Sequence, residues 1–310
     1  MQGDRKERRR RLGILALGCA VLGLMALALQ LNRTQLWEEQ AAYAGWHVRS
    51  HVPTGRCRLL DPGGDLRRAG WGGACAEALA RVRAAQGLEP ASGHLVVLLH
   101  GMGRSPWIFG RMEGALRAAG YETVALAYPS LTRDLEGHAR HLEAFLGDLE
   151  DVERVSFVTH SLGGIVLREA LAREAAWRDR IALGRVVMLA PPNQGSALAS
   201  ALDDWRLYHL IGGPSAGQLV AGSRFAAPLA EVEIGVIAGG RGSGEGGADG
   251  GQGGFNPFLA GDDDGILAVA ETRLESARDF LVVPVIHTVI ASAPESIQAT
   301  LAFLETGRFR

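Results

Sequence analysis

The chain of 310 residues is 47% hydrophobic and 21% charged, enough apolar material to bury a core of one or two domains, which excludes wholesale disorder and fibrous repeats. Its formal charge of -2 is unevenly spread, because residues 1–11 set Arg5, Lys6, Arg8, Arg9, Arg10 and Arg11 against only Asp4 and Glu7. Residues 12–31 are uncharged, so the chain from Asn32 onward is net acidic, and an acidic body argues against a nucleic-acid partner.

Leu12 to Leu31 is an apolar stretch of 20 residues, the length a helix needs to cross a bilayer. With the basic segment 1–11 kept in the cytoplasm, this predicts a single-pass signal anchor in the cytoplasmic membrane and a body outside the cytoplasm, periplasmic or extracellular. A cleaved signal peptide is the alternative, since Ala26-Leu27-Ala28 offers a small-x-small site and cleavage would make the protein secreted; the apolar run is longer than the usual signal core of about 7–15 residues. A lipidation site at Cys19 fits less well, because the apolar segment continues beyond it. Cys57 and Cys75 lie in the exported part, where an oxidising compartment permits a disulfide. Residues 32–93 mix Trp37, Tyr43, Trp46 and Trp71 with paired glycines, and read as an irregular extracytoplasmic extension with one short helix over Ala74–Gln86, packed onto the body.

From His94 to Arg310 short apolar runs alternate with longer amphipathic stretches, the pattern of an α/β doubly wound, mostly parallel sheet. Strands are predicted at Leu95–Leu99, Thr123–Ala127, Arg154–Thr159, Arg185–Leu189, Glu233–Ala238 and Phe280–Val285, with helices near Pro106–Ala119, Asp134–Asp148 and Leu162–Ala175. Two segments break the rhythm. Residues 191–232 form a lid-like excursion too long for an ordinary connection, and residues 239–261 hold eleven glycines in 23 positions, a composition with little to bury.

The strand Arg154–Thr159 runs through His160-Ser161-Leu162-Gly163-Gly164 directly into an apolar helix. A serine on a sharp strand-to-helix turn presents its hydroxyl at the sheet edge, and small neighbours allow the backbone to approach. A serine at that place can also be a plain helix cap. Upstream, Leu95 to Leu99 ends in His100-Gly101-Met102-Gly103. These two segments resemble the α/β-hydrolase family, and in particular its bacterial lipase and esterase branch, over 94–310. One departure stands out, since the family usually places glycine two residues before the nucleophile and this chain has Thr159, a β-branched residue where crowding is worst.

The resemblance implies a nucleophile-acid-base order along the chain and an acyl-enzyme formed on Ser161. It implies backbone N–H groups of Met102 and Leu162 as the oxyanion hole. Of nine histidines, only His287 follows the sixth strand, which makes it the base; His209 would reverse the order and His160 adjoins the nucleophile. The acid belongs in Asp262-Asp263-Asp264-Gly265-Ile266, where an aspartate followed by glycine and a branched residue selects Asp264, with Asp263 next and Asp262 in a solvated turn. The triplet lacks the alternating spacing of a calcium loop, so no metal and no cofactor are expected. Leu189-Ala190-Pro191-Pro192-Asn193-Gln194-Gly195-Ser196 resembles a lipase Pro-His segment with Asn193 in place of histidine, and is expected to be a structural turn.

Trp107 and Phe109 beside the oxyanion turn, and Trp205 in the excursion, are candidates for a pocket holding an apolar acyl group. The function expected is hydrolysis of carboxylic esters, small-molecule or lipid, by a lipase- or esterase-like serine hydrolase. The same triad would serve an acyltransferase or a lipid-anchor-remodelling hydrolase. A non-catalytic membrane-tethered binding module of the same fold is the remaining alternative, and the presence of nucleophile, acid, base and both oxyanion segments in order argues against it.

Overall fold

The computed structural model describes residues 35–88, 93–223, 225–226, 231–242 and 253–310. The expected membrane span at 12–31, with Cys19 and Ala26 to Ala28, lies outside them, as do the basic segment 1–11 and much of the glycine-rich stretch 239–261. Among the described residues no helix is long and apolar enough to cross a membrane.

The first finding corrects the expectation of an irregular extension. Strands β1 (Trp37–Tyr43), β2 (Trp46–His51), β3 (Arg56–Leu60) and β4 (Leu66–Trp71) form an antiparallel meander in chain order. Its first turn uses Ala44 and Gly45 at φ 47° and 79°, the left-handed geometry whose twist suits a two-residue hairpin. One face packs Tyr43, Trp46, Val48 and Leu59 against Cys75 and Leu79 of helix α1 (Ala74–Gln86), and a Cys57–Cys75 disulfide staples β3 to that helix. These strands interleave Glu, Gln, His and Arg with their apolar side chains, so no apolar run of strand length marks them in the sequence. Strand β4 is exposed along most of its length and is held by backbone pairing to β3.

The body is a six-stranded parallel sheet. Strands β5 (Gly93–Leu99), β6 (Glu122–Leu126), β7 (Val152–His160), β8 (Ala182–Leu189), β9 (Ile234–Gly239) and β10 (Asp279–Val283) lie in the order β6-β5-β7-β8-β9-β10. Alternate residues of β5 serve two cores, as strand geometry requires. Val96 and Leu98 meet Phe109, then Met112 and Leu116 of α2 (Gly110–Ala118), and Phe303 of α8 (Pro294–Thr306). Leu95, Val97 and Leu99 meet Leu142 and Leu146 of α3 (Leu135–Gly147) and Leu167 of α4 (Leu162–Leu171). A sheet covered on both faces needs strands apolar throughout, which is why these strands were legible. Helix α4 stops four residues earlier than expected and β10 two residues earlier.

Strand β5 has β6 on one side and β7 on the other, so successive connections leave it in opposite directions. That reversal opens a crevice at the carboxyl ends of β5 and β7, the place where doubly wound sheets bind ligands. The meander docks beside it: Glu39 N–H donates to Ala127 O at 2.7 Å, His141 Nε2 donates to Glu39 O at 2.7 Å, and Arg133 pairs with Glu38 at 2.6 Å. The excursion contributes α5 (Ala197–Leu202) and α6 (Arg206–Gly212). Both ends of it are gripped by the buried Arg168 of α4, which donates to Asn193 Oδ1 at 3.0 Å, to Ala226 O at 2.9 Å and to Phe225 O. Asn193 Nδ2 in turn donates to Thr272 O at 3.0 Å, at the end of α7 (Val269–Thr272).

Candidate active site

Ser161 stands between the end of β7 and the start of α4 with φ 53° and ψ -123°, a conformation that costs a non-glycine residue about 1–3 kcal/mol and persists only where its surroundings impose it. The surroundings are visible. Ser161 N–H donates to Leu189 O of β8 at 2.9 Å, and α4 presses so close to β5 that a Cβ on Gly163 would lie 2.4 Å from Leu99 O. The serine side chain makes no capping hydrogen bond to α4, so it is not acting as a helix cap. Thr159 fits the crowded turn because Gly164 leaves room for it: a Cβ there would meet Thr159 Oγ1 at 3.2 Å and Pro191 at 3.1 Å.

The turn from His100 to Gly103 lies alongside, since a Cβ on Gly101 would come within 3.0 Å of Ser161 Cβ. The backbone N–H of Met102 donates to no protein acceptor among the described residues, and that of Leu162, first in its helix, has no intrahelical partner. Both are therefore open to an oxygen from outside. His100 is a structural part of this turn. It donates from Nδ1 to Gly101 O at 2.9 Å, stacks on Tyr128 at 4.2 Å, and Tyr128 donates its hydroxyl to His100 O. Burial lowers the His100 pKa to about 4.

The loops after β9 and β10 bring His287 and Asp264 together, with His287 Nδ1 2.7 Å from Asp264 Oδ2. The other carboxylate oxygen accepts from Ile266 N at 3.0 Å and Leu267 N at 2.7 Å, and His287 N–H donates to Asp264 O at 2.8 Å. Asp264 is thus fixed by three backbone N–H groups and points one oxygen at the imidazole. Asp263 is buried too, but its Oδ1 accepts from Phe255, Asn256 and Gly265 N–H groups. Asp262, expected in a solvated turn, is buried and caps Arg241 and Gly242 N–H; a carboxylate can stay buried when backbone donors replace its water. No hydrogen bond joins Ser161 Oγ to His287 among the described residues; such bonds commonly tighten only with substrate bound. What links the two loops is His160, which donates from Nε2 to His287 O at 3.1 Å with ring centroids 4.8 Å apart. Burial, then the neighbouring His287, holds its pKa well below the ordinary value, so it is a neutral donor.

The expected acyl pocket is corrected in part. Phe109 is 0% exposed in the core between β5 and α8, out of reach of any substrate. Trp107 is 75% exposed and faces a groove shared with the meander, and Trp205 stands exposed at the start of α6. The side chains that the excursion lays beside Met102 and Leu162 are others: Tyr208 and Leu219 cluster with them and with Ile165 and Ala199. One further group bears on the turn from His100 to Gly103 without any motif in the sequence to mark it. Gln35, 2% exposed, donates from Nε2 to Arg104 O at 2.8 Å and accepts at Oε1 from Ser130 Oγ and Leu131 N, each at 3.1 Å. Ser130 Oγ accepts from Gly103 N at 2.9 Å. A polar residue 95 positions before its partner carries no local signal. Among the described residues no group of three or more His, Cys, Asp or Glu side chains is arranged to hold a metal ion.

A parallel sheet with its ligand crevice at the β5–β7 reversal, a serine at positive φ after a central strand and an Asp–His pair on the last two strand-end loops define the α/β-hydrolase fold. Comparison with solved structures agrees. The chain superposes on Bacillus licheniformis lipase BlEst2 in its mature form with a TM-score of 0.53 and 20% identity, covering 69% of this chain and 91% of that one. It superposes on the propeptide form of the same lipase with a TM-score of 0.53 and 19% identity, covering 72% of this chain and 52% of that one. In sequence it is 30% identical to "Probable esterase PIR7A" of Oryza sativa subsp. indica over 127 residues, 38% of this chain and 47% of that protein, so it spans about half the length of the curated relative it matches. Residues 70–215 match a family described as "Domain of unknown function (DUF7379)".

Proposed function

We propose that this protein hydrolyses carboxylic esters through an acyl-enzyme on Ser161. The observation that carries the reading is the Asp264–His287 pair presented at the same sheet edge as a serine held in a strained turn. His287 Nε2 removes the Ser161 hydroxyl proton as Oγ attacks the ester carbonyl, and Asp264 holds the imidazole in the tautomer with Nδ1–H and stabilises its charged form. The negative charge on the tetrahedral oxygen is met by the Met102 and Leu162 N–H groups, each donor of this kind being worth about 3–4 kcal/mol. Collapse expels the alcohol, which takes the proton from His287. Water then attacks the acyl-enzyme with His287 again as base, releasing the acid and restoring the serine.

The names of the similar proteins, a lipase and a probable esterase, support an ester substrate. The apolar cluster of Met102, Tyr208 and Leu219 beside the oxyanion donors supports an apolar acyl group, lipid esters included. The Cys57–Cys75 disulfide supports a body outside the cytoplasm, and the apolar stretch 12–31 is the segment that would tether it. The test is hydrolysis of p-nitrophenyl esters of graded acyl length by the full chain beside Ser161→Ala. Turnover in the parent and a loss of several orders of magnitude in the variant is the expected result. Equal inertness of both on every ester, with no labelling of Ser161 by a fluorophosphonate, overturns it.

A further inference from the structure

Between the meander and the body lies a groove of about 610 Å³, away from Ser161, whose walls include Trp37, Arg58, Ser105, Trp107 and Arg117. Most charged groups on it already have partners: Arg49 and His47 hold Glu39 at 2.8 and 3.1 Å, Arg67 holds Asp61 at 2.5 Å, and Arg117 holds Glu113 at 2.7 Å. Arg58 is different. It makes no ion pair among the described residues, its guanidinium lies 4.1 Å over the Trp37 ring, and its buried Nε donates to nothing. Burial, then the neighbouring Arg49, lowers its pKa to about 10, against the raising influence of Glu39, a carboxylate that Arg49 and His47 already hold. Ser105 lines the same groove and is 6% exposed, and its hydroxyl also has no partner. Unpaired buried donors are costly to keep, and the residues that carry these two both line one groove walled by two indoles, one of them exposed.

We propose that this groove is a binding site for a phosphate group, received by the Arg58 guanidinium and the Ser105 hydroxyl, with the remainder of the ligand lying between Trp37 and Trp107. A planar guanidinium matches two phosphate oxygens at once, and the hydroxyl supplies a third donor. The span expected at 12–31 ends six residues before Trp37, so the phosphodiester headgroup of a membrane lipid is one source of such a group and a soluble phosphate monoester is the other.

Calorimetric titration of the full chain with inorganic phosphate, glycerol phosphate and glycerophosphoglycerol tests the proposal. Saturable binding is expected, weakened about tenfold or more in Arg58→Met, a loss of some 1.4 kcal/mol, and unchanged in Arg68→Met on the neighbouring exposed strand. Tightest binding of glycerophosphoglycerol assigns the lipid headgroup; tightest binding of glycerol phosphate assigns the soluble monoester. Thermal melts accompany each variant, and Arg58→Lys and Ser105→Ala, each expected to bind less tightly than the parent, decide the matter should Arg58→Met not fold. Absence of saturable binding, or variants at Arg58 and Ser105 that bind as the parent does, overturns it. Ester turnover plays no part in this readout, so its failure leaves the hydrolase reading intact.

Discussion

Replacing Gln35 with methionine removes an amide of similar length and leaves three groups without their partners: Arg104 O, the Ser130 hydroxyl and Leu131 N. A lost hydrogen bond at a buried group costs about 1–3 kcal/mol, and because these three share one side chain the losses do not simply add. A total on the order of 2–4 kcal/mol is expected, read as a lowered Tm by circular dichroism. The larger consequence is catalytic. Gln35 and Ser130 hold the turn that carries Met102 from its Gly103 and Arg104 side, and displacement of an oxyanion donor by about 1 Å costs on the order of 100-fold. Since this donor matters to the charged intermediate and little to the bound ester, kcat should fall about 10- to 100-fold while KM moves by less than about threefold. Gln35→Glu, which retains the acceptor for Ser130 and Leu131 but opposes Arg104 O, should fall between parent and methionine variant. Steady-state kinetics on a p-nitrophenyl ester, at a temperature where every variant is folded, reads both parameters. A Gln35→Met protein that melts early yet keeps its kcat refutes the argument and leaves Gln35 as a clamp alone.

Asp264→Asn should lose about three to four orders of magnitude in kcat with its fold intact, since the amide favours the wrong imidazole tautomer. Asp263→Asn, whose carboxylate serves three backbone N–H groups, should lower stability by about 1–3 kcal/mol and cost less than about tenfold in kcat; the reverse ranking would move the acid to Asp263. Acid sensitivity should trace to buried histidines. His138, with neither ring nitrogen bonded, has its pKa lowered from 6.5 to about 4 by burial and by Arg133. The unfolded chain takes up that proton near pH 6.5 and the folded chain resists it, so stability present above pH 6.5 is lost as pH falls toward 4, by about 3 kcal/mol for this residue. His138→Phe should flatten the fall in Tm between pH 7 and pH 5, and an unchanged slope would rule out this cause.

The sheet of the body could be read from the sequence because strands buried on both faces are written as unbroken apolar runs, and the Ser161 turn because strand, small residues and helix follow one another within a dozen positions. The meander could not, since its alternate Arg, His and Glu residues hide a half-buried sheet whose register resides in cross-strand pairing. Phe109 shows a related limit: proximity to the His100–Gly103 turn suggested a pocket, but its direction is set by α2 packing against β5, which no local pattern records. In the sequence only family likeness separates Asp264 from its neighbours; in the structure the three carboxylates differ through what donates to each, and those donors come from residues up to 23 positions away. Gln35 belongs to the same class of contact.

Arg168 has a consequence for the entropy of the excursion. By bonding Asn193 near its start and Phe225 and Ala226 near its end, one guanidinium closes the loop at its root. Closure entropy grows only as the logarithm of loop length, about 0.6 kcal/mol per doubling, so once the root is tied, the segment between can lengthen or shorten at little entropic cost. The excursion can therefore differ in length while its two feet, and the sheet edge beneath them, stay where they are. Substrate preference can then vary on a scaffold whose reacting groups need not be repositioned.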